Sequence, residues 1–300
     1  MFENGISNLE RVSVVVNVWC EDDVLAFGRS LTSIAKQNHK PDEVIIVVDG
    51  PIDSNLRDSI QEFTDQADFP VKKTEIQMAA GLWNARNVGI GVADFDLIAL
   101  HDADDVMHPD RLKMQLAQMS TENIDVLASP VYEFDSVSEQ IIGLRALSRS
   151  EQINQKMIWQ NVINHSSVML RKSAVTSVGG YKNVYLAEDY DLWLRLIRAG
   201  KKLDVSKFVL QAFSVDKKLN KRRGGREFIS SELNIHRLVT STKGLNRIKL
   251  WIRLLMRLTY RLGPSRVRQK HRLFFQTKRP INSPRSLEEF LNQPPLKINQ

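Results

Sequence analysis

The chain has 300 residues, 42% hydrophobic and 26% charged, which places it in the ordinary globular range, long enough for one large domain or one domain with an appendage. Its single cysteine, Cys20, excludes an internal disulfide, and the opening "MFENGISNLERVSVVV" lacks the basic and long apolar regions of a secretion signal, so a reducing, cytosolic location is expected. The net charge of +7 conceals a split: residues 201–300 carry 24 Lys and Arg against 6 Asp and Glu, and residues 1–200 carry 18 against 29. This asymmetry predicts that the C-terminal part meets a polyanion, anionic lipid or nucleic acid, while the N-terminal part does something else.

Taken in order, "RVSVVVNV" (11–18) is a β-branched run of strand length, and 22–37 spaces Leu25, Leu31, Ile34 and Ala35 as a helix does. "DEVIIVVDG" (42–50) predicts a second strand, "SNLRDSIQEFTDQA" a helix and "VKKTEI" (71–76) a third strand. "WNARNVGIGVAD" (83–94) predicts a helix and "DLIALHDADD" a fourth strand. Apolar strands alternating with helices imply an α/β fold, a parallel sheet covered on both faces. In such sheets ligands bind beyond the carboxyl ends of the strands, where Asn17, Asp49 and Asp102 fall together. A helix starting near Pro109, a strand over 124–134 and a helix over 186–200 ending at Gly200 follow. The stretch from about 278 to 300, with "KRPINSPRS" and "NQPPLKINQ", predicts a loose tail.

The densest chemistry is "DADD" at the end of the fourth strand, Asp102, Asp104 and Asp105. Carboxylates this close repel and cost several kcal/mol each to desolvate, so a cation is expected beside them. Mg²⁺ or Mn²⁺, hard and oxygen-preferring, is held by one or two carboxylates with phosphate and water completing the shell. A solvated turn with a helix-capping Asp is the alternative. Glu188, Asp189 and Asp191 form a second cluster at a helix start, where the macrodipole alone favours acids; the same place would also aim a general base into the crevice.

"GLNRIKLWIRLLMRLTYRLG" (244–263) puts Ile248, Trp251, Ile252, Leu255, Leu258 and Leu262 on one stripe, with Arg247, Lys249, Arg253, Arg257 and Arg261 largely off it. Five cations exclude a spanning helix. The pattern predicts a helix lying in the membrane interface, its Trp and Leu side among acyl chains and its cations on anionic headgroups. The alternative is a helix docked on the main domain with a wet basic face.

Five segments in register resemble the family 2 glycosyltransferases over roughly residues 11–230: "VVVNVW", "SLTSIAKQNHKPDEVIIVVDG", "GLWNARNVGI", "DADD" with "PDRL", and "EDYDLWLRL". "INHSSVMLRKSAV", "GGY", "EDYDLW" and "NKRRGGREF" together resemble the amylovoran-type enzymes that build capsule, O-antigen or exopolysaccharide repeat units. The resemblance implies a GT-A, Rossmann-like fold with a mixed, mainly parallel sheet and a C-terminal helical extension. Its catalytic domain would span 1–215, with a nucleotide-binding part over about 11–110 and an acceptor part over 111–215. A basic, membrane-associating helical region over 216–275 and the loose tail over 276–300 would follow.

The implied activity is metal-dependent transfer, with inversion, of glucose or galactose from a UDP-sugar to a lipid-diphosphate-linked saccharide, by an enzyme peripheral on the inner face of the plasma membrane. Asp49, Asn17, Arg86 and Asp102 would contact the nucleotide, Asp104 would hold Mg²⁺ or Mn²⁺, and Asp189 would be the base. Glu188, His165, Arg222 and Arg223 would lie on the acceptor side. His165 also suits a structural hydrogen-bonding role, and 217–227 a solvated basic loop. The chain has Val48 where many members carry a first Asp after the second strand, and it lacks the Gln-x-x-Arg-Trp of processive synthases, which points to single addition. A nucleic-acid-binding protein using the basic third, or an inactive sugar-nucleotide-binding module, are the rival readings. Against the first, aromatic residues suited to base stacking are few there.

Overall fold

The β-branched runs become strands buried on both faces, and the amphipathic runs become the helices that cover them. A computed structural model describes residues 10–145, 150–215, 228–241, 247–263 and 283–298. β1 (Val12–Val18) leads into α1 (Val24–Ala35), where the Asp23 side chain caps the Ala26 N–H, then β2 (Glu43–Asp49) and α2 (Ser54–Gln66), capped by Asp53 on the Leu56 N–H. β3 (Val71–Ile76), α3 (Leu82–Val92) and β4 (Leu97–Asp102) follow.

Beyond the carboxylates come β5 (Val106–Met107), α4 (Arg111–Glu122), β6 (Val126–Ala128) and β7 (Val131–Asp135). The run 124–134, expected as one strand, is thus divided around Ser129-Pro130, because proline has no N–H to give a ladder; its two pieces enter different sheets. β8 (Ile141–Arg145), α5 (Ser150–Trp159), a 3₁₀ turn at His165–Ser167, β9 (Met169–Arg171) and α6 (Lys172–Ser177) lead to α7 (Glu188–Arg198). β10 (Leu203–Val205), β11 (Gln211–Val215), α8 (Phe228–Thr240), α9 (Arg247–Leu262) and α10 (Leu287–Asn292) complete the described chain.

The main sheet has the order β10-β6-β9-β4-β1-β2-β3 and is parallel throughout except for β9, which runs antiparallel to both its neighbours. A second sheet, β5-β11-β7-β8, stands behind the segment that follows the acidic cluster. One face of the main sheet packs on Phe27, Leu31, Leu56, Ile60, Leu112 and Leu116 of α1, α2 and α4, and the other on α3, α5, α7 and α8. α3 lies directly on the strands because residue 89 is glycine: a Cβ there would stand 2.5 Å from Val15 Cγ1. In register, Asn17 pairs with Asp102 and Val18 with Val48, so the polar ends of β1, β2 and β4 coincide as the sequence predicts.

Two expectations are corrected. The region 276–300 is not loose over 283–298: α10 buries Leu287 and Phe290 in a third core with Tyr132 and Phe134, and Gln140 and Phe208 bridge to Ser286 and Lys297. Nor do all the cations of α9 face outward: Arg247 and Lys249 are exposed, but Arg253, Arg257 and Arg261 turn inward. Arg253 is 1% exposed, and Arg257 and Arg261 pair with Glu232 of α8 at 2.8 and 2.9 Å. The apolar stripe predicted over this helix is present, but three of the five cations behind it point into the protein. Among the described residues no helix is long and apolar enough to cross a membrane.

Candidate active site

The site lies where β1, β2 and β4 end and α7 begins. Asp49 closes β2 and is buried, its Oδ1 accepting from the Ala80 N–H at 3.1 Å. Gly50 turns the chain away at φ +87°, and a Cβ there would stand 3.0 Å from Ala79 N, so the turn that sets Asp49 against the loop before α3 needs glycine. Asn17, one residue before the end of β1, has its Oδ1 buried and without a hydrogen-bond partner among the described residues. A buried carbonyl oxygen of this kind awaits a donor.

Asp102 sits between two cationic or polar neighbours, with Arg86 Nη2 3.9 Å and His165 Nδ1 3.8 Å from its Oδ1. Burial works against its ionisation, but His165 and Arg86 outweigh that and hold the carboxyl down at about 2. Arg86, itself buried, reaches the other way as well: its Nη1 donates to Glu188 Oε1 at 2.6 Å, and its guanidinium lies 5.6 Å from the Tyr181 ring centre. It therefore ties the end of β4 to the first residue of α7. Tyr181 is in turn fixed by Asn87, which accepts from the Tyr181 N–H at 2.8 Å and donates to its carbonyl at 2.9 Å, and the Tyr181 hydroxyl meets His165 Nε2 at 2.8 Å.

Asp104 keeps an exposed surface, but the protein around its carboxyl displaces part of its water, and that desolvation, followed by the charges of Asp102 and Asp22, pushes it up to about 7. Carboxylates held this near each other fit a hard divalent cation. Among the described residues no three His, Cys, Asp or Glu side chains converge as a ready-made set. The protein would supply one or two carboxylates, the pattern suited to Mg²⁺ or Mn²⁺ shared with a diphosphate.

Asp105, for which a wet turn was one expectation, is fully buried. Its Oδ2 accepts from the Ser166 hydroxyl and its Oδ1 from the Ser214 N–H at 2.8 Å, so it braces the cluster against the 3₁₀ turn and β11. Burial, then the neighbouring Asp104 and Asp102, drive its carboxyl well above the usual range. Behind it, Arg111 is pinned by Gln115, Gln211 and the carbonyls of Leu100 and Val168, which fixes the end of β4 relative to α4.

Across from the cluster, Asp189 is the second residue of α7. Its Oδ2 accepts from Asn161 Nδ2 at 2.8 Å and its Oδ1 from the Tyr190 N–H at 2.6 Å, leaving an oriented, half-buried carboxylate. Asp191, two residues on, is structural: it pairs with Arg195 at 2.7 Å and accepts from Asn234 at 3.0 Å. The fold thus brings together Asn17, Asp49, Arg86, Asp102, Asp104, His165, Glu188 and Asp189. Arg222 and Arg223 lie outside the described residues. Asn161, Tyr181 and Asn87 belong to the site by contact and were not singled out from the sequence; no periodicity marks them.

The profile of Glycosyl transferase family 2 matches residues 13–179, and that of Glycosyl transferase family group 2 matches 97–263. The amylovoran biosynthesis glycosyltransferase AmsE of Erwinia amylovora is 28% identical over 86% of this chain and 96% of its own. An Escherichia coli UDP-Gal:α-D-GlcNAc-diphosphoundecaprenol β-1,3-galactosyltransferase is 30% identical over 86% and 94%. Among solved structures, S. aureus TarS 1-349 in complex with UDP-GlcNAc superposes with a TM-score of 0.61 at 17% identity over 83% of this chain and 72% of that one. A longer TarS structure is spanned over 43% of its length. The mannosyltransferase PcManGT of Pyrobaculum calidifontis, in complex with GDP-Man and Mn²⁺, gives 0.59 at 14% identity over 89% and 80%. These likenesses show the GT-A fold.

Proposed function

Because the chain belongs to glycosyl transferase family 2, we propose that it is a metal-dependent inverting hexosyltransferase moving glucose or galactose from a UDP-sugar to a lipid-diphosphate-linked saccharide in surface polysaccharide synthesis. The observation that carries this reading is the crevice itself: one carboxylate cluster, Asp102 and Asp104, at the end of β4, and a second, separately oriented carboxylate, Asp189, at the start of α7. Displacement at an anomeric carbon needs those two groups on opposite sides of the sugar. The relatives act on related chemistry, one transferring galactose and another, from Escherichia coli and 28% identical, glucose to GlcNAc-diphosphoundecaprenol.

In the proposed reaction the acceptor hydroxyl oxygen attacks the anomeric carbon, the bond from that carbon to the diphosphate oxygen breaks, and the hydroxyl proton passes to Asp189. UDP leaves. Asp49 and Asn17 offer buried acceptors to the base of the nucleotide, and Asp102, held ionised, suits the ribose hydroxyls. A cation held by Asp104 would neutralise charge on the leaving diphosphate, an effect worth several kcal/mol. Glu188, locked by Arg86, borders the acceptor side with His165. The lipid-linked acceptor and the basic C-terminal third support peripheral attachment to the inner face of the plasma membrane.

The test is transfer from a panel of UDP-sugars to a synthetic GlcNAc-diphosphate-lipid. Asp104→Ala is expected to abolish metal-dependent donor binding. Asp189→Asn is expected to bind donor nearly normally and to lose turnover by a factor of about 10³ or more; an active Asp189→Asn protein would overturn the base assignment.

A further inference from the structure

α9 docks through Leu250 and Leu254 together with Arg253, Arg257 and Arg261, and still turns five further large apolar side chains outward, more than a helix built to meet water would. On the inner side Arg257 Nη2 and Arg261 Nε donate to Glu232 Oε1 at 2.8 and 2.9 Å, and Arg253 Nη2 donates to the Tyr190 hydroxyl at 3.1 Å. On the outer side Trp251, Ile252, Leu255, Met256 and Leu262 are 51–64% exposed. These five large apolar side chains come from 16 consecutive residues and form one continuous face.

We propose that this face is the seat of an anionic lipid surface, entered by its apolar side chains rather than held at a distance by its arginines. Three observations carry it. Arg257 and Arg261 are paired with Glu232 inside the protein, so the outward surface from Trp251 to Met256 is made of large apolar side chains. The flanking sequence complements anionic headgroups: residues 264–282 hold six Lys and Arg and no Asp or Glu. The helix also borders the active site, since its Arg253 contacts Tyr190, the neighbour of Asp189, and α8 beside it holds Asp191 through Asn234 and the Tyr185 carbonyl through Ser231. A lipid surface on α9 would therefore be linked through Tyr190 and α8 to the helix that carries the base, the side from which a membrane-tethered acceptor would arrive. The proposal rests on the lipid-linked acceptor proposed above for the choice of lipid over other apolar partners. A nucleic acid fits poorly, because three of the five cations of α9 are turned inward.

The experiment is flotation of the full chain with vesicles of equimolar phosphatidylglycerol and phosphatidylethanolamine, and with phosphatidylcholine vesicles, comparing wild type with an Ile252→Ser, Leu255→Ser double variant and with Leu255→Glu. Wild type is expected to float with the anionic vesicles. The double variant is expected to bind roughly a hundredfold more weakly, about tenfold per side chain. It should keep its circular dichroism and its transfer to a short-chain, water-soluble acceptor. Unchanged flotation of both variants overturns the proposal. So does a wild-type dimer that the variants dissociate, which would make the face a contact between copies. Unfolding of the variants would mean that the chain itself covers this face, and nucleic-acid binding without flotation would assign the basic third to the other polyanion; either result overturns it. Flotation without sugar transfer to any acceptor would leave the lipid seat standing and remove the glycosyltransferase reading, and transfer to the soluble acceptor without flotation would do the opposite.

Discussion

Asp189 owes its orientation to Asn161, whose amide donates to Oδ2 at 2.8 Å while its own Oδ1 accepts from the Ile163 N–H. A base displaced by a fraction of an ångström loses much of its effect. Asn161→Ala is therefore expected to lower kcat by about tenfold to a hundredfold and leave the donor KM nearly unchanged; steady-state kinetics check this, and a matching loss of donor affinity would give Asn161 a wider role. Asp104 carries a second prediction. Its carboxyl, raised to about 7, is protonated below that pH, and a proton competes with a cation for the same oxygens. Metal affinity, measured by calorimetry, should weaken as the pH falls below about 7 and level off above it. The carboxylates, Arg86 and His165 were legible as residues in motifs. Asn161 was not, because a loop amide has no periodicity and its value depends on which side chain it meets.

At the scale of elements, α8 and α9 are joined by a buried anion. Burial alone would raise Glu232, but Arg257 and Arg261 hold its carboxyl below the ordinary 4.5. A carboxyl lowered on folding contributes stability that is complete above its unfolded value and is lost as the pH falls through the folded one. The protection factors of amides in α9, exchange rates normalised to the unprotected rate at each pH, should accordingly fall below about pH 4. Glu232→Gln should lower them similarly at neutral pH, with a loss of about 2–3 kcal/mol. Helical spacing showed that α9 has an apolar stripe and a basic stripe. It did not show that Arg253, Arg257 and Arg261 face inward, because an arginine is buried only when a partner such as Glu232, from another element, offsets the cost of desolvation.

At the scale of the molecule, the last described segment closes the back of the second sheet. Phe290 stands edge-on to Tyr132 and to His108, 5.8 and 5.2 Å between ring centres, and His108 Nε2 contacts the Gln293 carbonyl at 2.9 Å. Phe290→Ala should cost about 3–5 kcal/mol in denaturant unfolding, whereas a loose tail would cost nothing. The signal for α10 was in the sequence: Ser286 caps the Glu289 N–H, and Glu289 reaches back to the Arg285 N–H, a variant of the capping box. The prolines around it hid it.

The sequence by itself determined the parallel sheet, the helices over it and the meeting of Asn17, Asp49 and Asp102, because alternation, apolar runs and the carboxyl-end rule are local or topological properties. Tertiary structure alone decided the antiparallel β9, the burial of Asp105 and the inward direction of Arg253, Arg257 and Arg261. Each of these turns on which distant group satisfies a polar atom or fills a space, and distance along the chain carries no such information.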